Sequence, residues 1–146
     1  MPRYFTLQQA ERLLPDVEAA IREAINVKAE FAQSESEYHA ELQRVMMLGG
    51  ADLSRTSVLE KREHRDLRAQ RLKDLIQKIH DEGCLVKDLD IGLVDFPTLL
   101  RGQEVYLCWK LGETGISFWH GVEEGFQGRK PIGKEFLDHH KGDPQN

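Results

Sequence analysis

The sequence predicts an α+β chain: a long antiparallel helical hairpin followed by a small antiparallel β-meander. Three observations carry that expectation. Glycine is rare early and common late, with Gly49 and Gly50 alone before residue 83 and ten glycines from Gly83 on. Apolar residues recur at spacings of three and four from Leu14 to Val45. Between Leu85 and His120 the pattern changes to a period of two. A chain of 146 residues can bury a core of its own. Residues 1–146 are therefore read as one domain, 1–82 the hairpin and 83–140 the sheet with a glycine-rich segment.

The first helix opens after Phe5. Thr6 followed three residues on by Gln9 is a capping box, and Ala10, Leu13 and Leu14 give a short apolar stripe. Pro15 lacks an N–H and clashes with the turn before it. It is expected to open a second helix, with Asp16 and Glu18 at the positive end of the dipole. From Pro15 to about Leu48 no residue breaks that helix. Leu14, Val17, Ile21, Ala24, Lys28, Phe31, Glu35, Tyr38, Leu42 and Val45 make a heptad seam, interrupted by Lys28 and Glu35. Such a helix is roughly 50 Å long. That exceeds the needs of a small core, so part of the seam is expected to find a partner helix.

Gly49-Gly50 ends the helix by offering a left-handed cap. Asp52, Ser54 and Ser57 offer caps for the next helix, over about 57–81. A short glycine turn folds the two helices back as an antiparallel pair. Charge suits the pairing: residues 1–53 carry a net charge of −4 and residues 54–82 a net charge of +2. The basic run from Lys61 to Lys73 is interleaved with Glu63 and Asp66 and has no aromatic for base stacking. It reads as a solvated or partner-facing helix surface.

Gly83 closes the second helix. Leu85–Leu89 and Leu93–Phe96 read as strands around an Asp90-Ile91-Gly92 turn, with Pro97 ending the second. Thr98–Gln103 reads as a loop or helical turn. Glu104–Leu111 is the clearest strand, Gly112–Gly115 a hairpin turn and Ile116–His120 the return. Residues 121–146 look irregular, with a frayed tail from Lys141. If Gly112 pairs with Gly115, Leu111 faces Ile116, Trp109 faces Phe118 and Leu107 faces His120. The opposite face then carries Cys108 with Trp119, Lys110 with Ser117 and Tyr106 with Gly121.

Several residues on this half could carry chemistry. Histidine as a residue type has an unperturbed pKa near neutral, so His120 could act as a base or a metal ligand, and a hydrogen-bonded histidine at the core edge is the simpler expectation. Asp95 stands in an apolar stretch and needs a partner, for which Arg129 or Lys110 is available. Trp109 and Phe118 read as core, and Glu113 as solvated at a hairpin tip. Gly125 to Lys130 could wrap an anion, but it does not match a P-loop, and a tight loop explains the glycines equally well. A nucleophilic Cys108 served by His120 is disfavoured, because the register above puts them on opposite faces. Cys84 and Cys108 are expected to be two buried thiols in a reducing cytoplasm. Neither HExxH nor CxxC is present, and adjacent His139 and His140 cannot share a helix face. Neither a metal nor a cofactor is expected. The net charge of −5 argues against nucleic acid, and no apolar run is long enough for a membrane span or a secretory signal.

The motifs Phe5-Thr6-Leu7, Leu13-Leu14-Pro15, Val86-Lys87-Asp88, Gly92-Leu93-Val94-Asp95-Phe96-Pro97, Leu107-Cys108-Trp109-Lys110-Leu111-Gly112-Glu113, Trp119-His120 and Gly125-Phe126-Gln127-Gly128-Arg129 together resemble a small bacterial family, domain of unknown function 2203. The similarity spans nearly the whole chain. The resemblance implies no activity, substrate or cofactor. It marks Asp95, Cys108, Trp109, Glu113, Trp119, His120 and Arg129 as signature residues without roles.

Two functions are expected. The first is a helical assembly or adaptor module that forms a homo-oligomer through the long helices, or takes up another protein, and performs no catalysis. The second is a small-ligand or enzyme site on the sheet side, built from Asp95, Trp109, Glu113, Trp119, His120 and Arg129. The second requires these six groups to converge on one concave pocket.

Overall fold

The computed structural model describes residues 3–49 and 52–144. The elements run α1 (Leu7–Met47), α2 (Asp52–Asp81), β1 (Leu85–Asp88), β2 (Leu93–Leu100), β3 (Gln103–Lys110) and β4 (Phe118–Gly121). A 3-10 turn at Phe126–Gly128 follows, then β5 (Lys130–Pro131), α3 (Lys134–His139) and β6 (His140–Lys141). This is the expected α+β class, two long helices and then an antiparallel meander. The chain forms two compact units, Met1–Arg22 with Ile76–Asn146, and Glu23–Leu75.

The first unit holds the sheet. Its strands lie in the order β1-β2-β3-β4-β5, with β6 pairing on β2 beyond β1. The expected capping box starts α1: Thr6 N–H donates to Gln9 Oε1 at 2.9 Å and Gln9 N–H to Thr6 Oγ1 at 3.1 Å. Pro15 does not open a new helix, for α1 runs through it. Pro15 is exposed, on the side away from the buried stripe, so it costs a hydrogen bond without breaking the helix. Ala10, Leu14, Val17 and Ile21 form the buried stripe of this segment.

Pro97 does not end β2 either. The strand continues to Leu100, with Pro97 opposite Tyr106. The Pro97 carbonyl accepts from Phe5 N–H at 2.7 Å, on the side of β2 away from β3. A residue's N–H and C=O point the same way in a strand, so the missing donor takes nothing from the β2–β3 ladder. The Thr98–Gln103 segment is a hairpin rather than a loop or helical turn. Leu100 pairs with Gln103 across Arg101 and Gly102, whose φ values of 51° and 82° are those of a tight two-residue turn.

The C-terminal segment is more ordered than expected. Lys141 lies in β6, Thr98 Oγ1 donates to its carbonyl at 3.1 Å, and Asp143 N–H donates to the Tyr4 carbonyl at 2.9 Å. His140 Nε2 accepts from Leu7 N–H at 3.0 Å, satisfying one of the free donors at the start of α1.

The second unit, Glu23–Leu75, is the helical pair. Glu23, Glu30, Glu35 and Glu37 of α1 meet Arg71, Arg68, Arg65 and Lys61 of α2 in that order. Positions rise along one helix as they fall along the other, so the pair is antiparallel, and the basic run faces its partner helix as expected. The seam is displaced from the expected one. Val27 and Ser34 are buried where Lys28 and Glu35 were expected, while Lys28 is exposed and Glu35 half-buried. The apparent interruptions therefore stand beside the packed stripe. Helix α2 begins at Asp52, so Ser57 is inside it and is no cap. Ser54 also falls inside α2 rather than ahead of it; the side chains of Asp52 and Ser54, and the part of the turn at Gly50, lie outside the described residues. Gly49 has the left-handed φ of 81° expected of it. None of the described helices is long and apolar enough to cross a membrane.

Candidate functional site

The β3–β4 register decides what the sheet presents. Val105 pairs with Gly121, Tyr106 with His120, Leu107 with Trp119 and Cys108 with Phe118. This is one residue away from the expected register. The expected four-residue hairpin turn is replaced by a connection from Leu111 to Ser117, and connection length sets register. Because side chains alternate, the slip exchanges the faces of β4.

One face carries Val94 and Phe96 from β2, Leu107 and Trp109 from β3 and Trp119 from β4. It is the core face: Phe5 meets Phe96 edge-on at 5.6 Å, and Trp109 is wholly buried, its Nε1–H donating to the Glu113 carbonyl at 3.1 Å. The other face carries Asp95, then Tyr106 and Cys108, then His120. Asp95 sits directly opposite Cys108, and His120 opposite Tyr106. Cys108 and His120 thus share a face, contrary to expectation.

These groups are tightly tied. His120 Nε2 lies 3.0 and 3.1 Å from the two Asp95 carboxylate oxygens. His120 Nδ1 lies 2.8 Å from the Gly121 carbonyl, which can only accept, so Nδ1 carries a proton. Nε2 and the carboxylate can then approach each other only with a second proton between them. Burial pushes the Asp95 carboxyl up, and the charge of His120, its hydrogen bond and that of the Cys108 thiol pull it back. Burial also pushes the Cys108 thiol up to about 12, with the Asp95 charge adding to it. The thiol therefore stays protonated at neutral pH and is no nucleophile as it stands.

The surroundings hold His120 in place. The Tyr106 ring meets it edge-on at 5.5 Å, and Lys87 Nζ lies over the Tyr106 ring at 5.1 Å. Gly121 N–H donates to Glu124 Oε1 at 2.8 Å, and Lys130 Nζ lies 2.6 Å from the same oxygen. Lys130, then this backbone hydrogen bond, holds the Glu124 carboxyl below its usual range. Asp95, His120, Tyr106 and Lys87 line a cleft of about 230 Å³ walled by Val122 and Phe126. A wider furrow of about 460 Å³ beside Arg3, Arg12 and Asp143 contains no buried titratable side chain.

Of the six residues expected to converge, Asp95 and His120 share this cleft. Arg129 is not the partner of Asp95, and neither is Lys110. Arg129 Nη2 donates to Glu113 Oε2 at 2.6 Å, and its guanidinium lies between Phe118 at 4.0 Å and Phe126 at 4.8 Å. Its Nη2 is thus taken by Glu113, while its buried Nε has no hydrogen-bond partner among the described residues. Glu113 is not solvated at a tip: it is half-buried, and its Oε1 accepts from Lys110 N–H at 2.7 Å. Trp109 belongs to the core. Trp119 lies against Phe136 at 5.2 Å and borders a separate cleft with Lys130. Sequence reasoning placed His120 on the wrong face, away from Cys108, and passed over Tyr106, Lys87 and Glu124. The signal for His120 and Tyr106 is the β3–β4 register.

A family profile described as an uncharacterised conserved protein, DUF2203, matches residues 3–132, which include every residue of the cleft. No curated protein and no solved structure matches the chain.

Proposed function

This chain belongs to the DUF2203 family, and we propose that it is a small-ligand-binding protein whose site is the cleft over Asp95 and His120. The observation that carries this reading is the buried pair at the cleft floor. A carboxylate and an imidazole in a sheet interior lose hydration that their mutual attraction only partly returns, and an apolar pair of the same size would cost the fold less. Their place at the base of a cleft is what a ligand site requires. The pair holds one proton between two basic atoms, so it can lend that proton to a bound ligand and recover it. Lys87 and Tyr106 supply a cation and an aromatic face for the rest of the ligand. The two buried free cysteines suit a reducing compartment such as the cytoplasm.

The test is a panel of small carboxylates, inorganic phosphate and sugar phosphates, followed by backbone amide NMR. The expected result is that at least one member shifts the amides of Tyr106, Gly121 and Phe126, and that His120→Gln removes the response. No shift at these amides at millimolar concentration, or a response unchanged by His120→Gln, would overturn the reading.

Self-association is the second reading, favoured by the loop end of the hairpin. Met46, Met47 and Leu48 are 72%, 81% and 61% exposed there. A second copy covering these side chains in coiled-coil fashion would remove them from water. Light scattering at tens of micromolar distinguishes a dimer or larger species, the expected result, from a monomer, which would end this reading. Replacing all three with Gln should shift the population toward monomer.

A further inference from the structure

The proton between His120 and Asp95 occupies a position that suits a cation equally well. We propose that Asp95, Cys108 and His120 form a binding site for a divalent transition metal of the zinc type, with its open coordination position facing the cleft. This rests on the cleft being the functional site, and it names what the site holds.

The donor set is the first argument. One carboxylate oxygen, one thiol sulfur and one imidazole nitrogen all lie within 4.8 Å of one another, and all three side chains are buried. Among the described residues, no other three such groups converge in this way. Zinc bonds of roughly 2.0–2.3 Å space tetrahedral donors about 3.3–3.6 Å apart, so small side-chain movements close this set around an ion. Sulfur and nitrogen donors select zinc-like ions, whereas magnesium and calcium take oxygen ligands.

The support around the donors is the second. A metal-bound histidine characteristically gives its other ring N–H to a carbonyl or carboxylate, which fixes the tautomer. His120 Nδ1 does this to the Gly121 carbonyl and leaves Nε2 facing Asp95. The three ligands stand on β2, β3 and β4, neighbouring strands of one sheet, so the backbone holds their spacing. Tyr106 buttresses the imidazole.

Charge and access complete the case. A carboxylate and a thiolate carry two negative charges, which a divalent ion cancels, leaving a neutral buried centre. Binding displaces two protons to solvent, one from the Cys108 thiol and the one shared by Asp95 and His120. Three protein ligands leave a fourth position, as in metal sites that bind water or substrate. Asp95 and His120 line the cleft, so both the ion and a ligand reach that position from the same side.

Cobalt(II) reports on such a site because a thiolate ligand gives it a charge-transfer band in the near ultraviolet. The full chain is stripped with chelator and titrated with Co²⁺. The expected result is a band saturating at one equivalent and bleached by Zn²⁺. Cys84→Ser, which leaves Cys108 as the sole thiol, should keep the band, and Cys108→Ser should abolish it. His120→Gln should weaken binding by more than the roughly 10–100-fold that loss of a supporting hydrogen bond costs. No band in the wild type or in Cys84→Ser overturns the proposal, and so does a band that survives Cys108→Ser. Cys84→Ser and the wild type decide the question even where Cys108→Ser fails to fold. If the stripped protein gives no band yet keeps its cleft response to the small-molecule panel, the metal is wrong and the ligand site stands. If both fail, both fall.

Discussion

Charged side chains in Glu23–Leu75 meet in water, whereas in the sheet unit a carboxylate and an imidazole meet with 1% and 4% of their side chains exposed. Three of the four hairpin pairs are loose, with Lys61 and Glu37, Arg65 and Glu35, and Arg68 and Glu30 each at 3.8 Å, while Arg71 donates to Glu23 with both side chains exposed. They set the direction of one helix against the other at little energetic gain, since water and salt screen them. The Asp95–His120 pair is hydrogen-bonded and dry. Losing hydration makes it costly to form and costlier to break. The contrast separates charges that organise a surface from charges kept inside a fold for what they do.

That contrast can be broken in graded steps. The largest effect is expected at the buried pair. His120→Ala leaves a carboxyl with no imidazole partner, and urea denaturation at neutral pH should show a loss of about 3–5 kcal/mol. A loss below about 1 kcal/mol would mean that water already reaches Asp95.

The next effect is alkaline. Burial raises Cys84 and Cys108 from 9.0 to about 12 in the folded chain. Between those values the unfolded chain has lost thiol protons that the folded chain keeps. The thiol contribution is therefore whole below about pH 9 and lost as pH rises through about 12. Urea midpoints should fall with pH over this range, and Cys84→Ala should flatten the fall.

A smaller effect belongs to the start of α1. Thr6→Ala removes one arm of the capping box and should cost about 1 kcal/mol by thermal or urea unfolding. The smallest belongs to the hairpin surface. Glu30→Gln should change stability by less than about 0.5 kcal/mol, and by less still in high salt.

Legibility in the sequence follows the length of the signal. The two helices and the capping box declare themselves, because three-and-four spacing repeats over dozens of residues and Thr6–Gln9 is a local pattern. Pro15 and Pro97 mislead for one reason. Proline reports that a donor is missing, but the cost depends on which side of the element it faces: Pro15 is exposed on its helix, and Pro97 turns its missing donor away from the β2–β3 ladder. β5 and β6 have two residues each, too few for any period. The site was half legible. Asp95 and His120 stand out as polar residues in apolar runs, yet their meeting depends on one unit of register. A loop three residues longer than expected shifts that register and brings His120 to the face of Asp95 and Cys108. Arg129 and Glu113 drew attention as charged residues near aromatics, and they prove to pair with each other through Arg129 Nη2.

The central claim is that Asp95 and His120 act as one buried unit. The measurement that tests it most directly is a double-mutant cycle with Asp95→Asn, His120→Gln and both together, followed by urea denaturation at neutral pH. The two changes are expected to be strongly non-additive, with a coupling of about 1–3 kcal/mol. Additivity within about 0.3–0.5 kcal/mol would show two independent side chains and contradict the account.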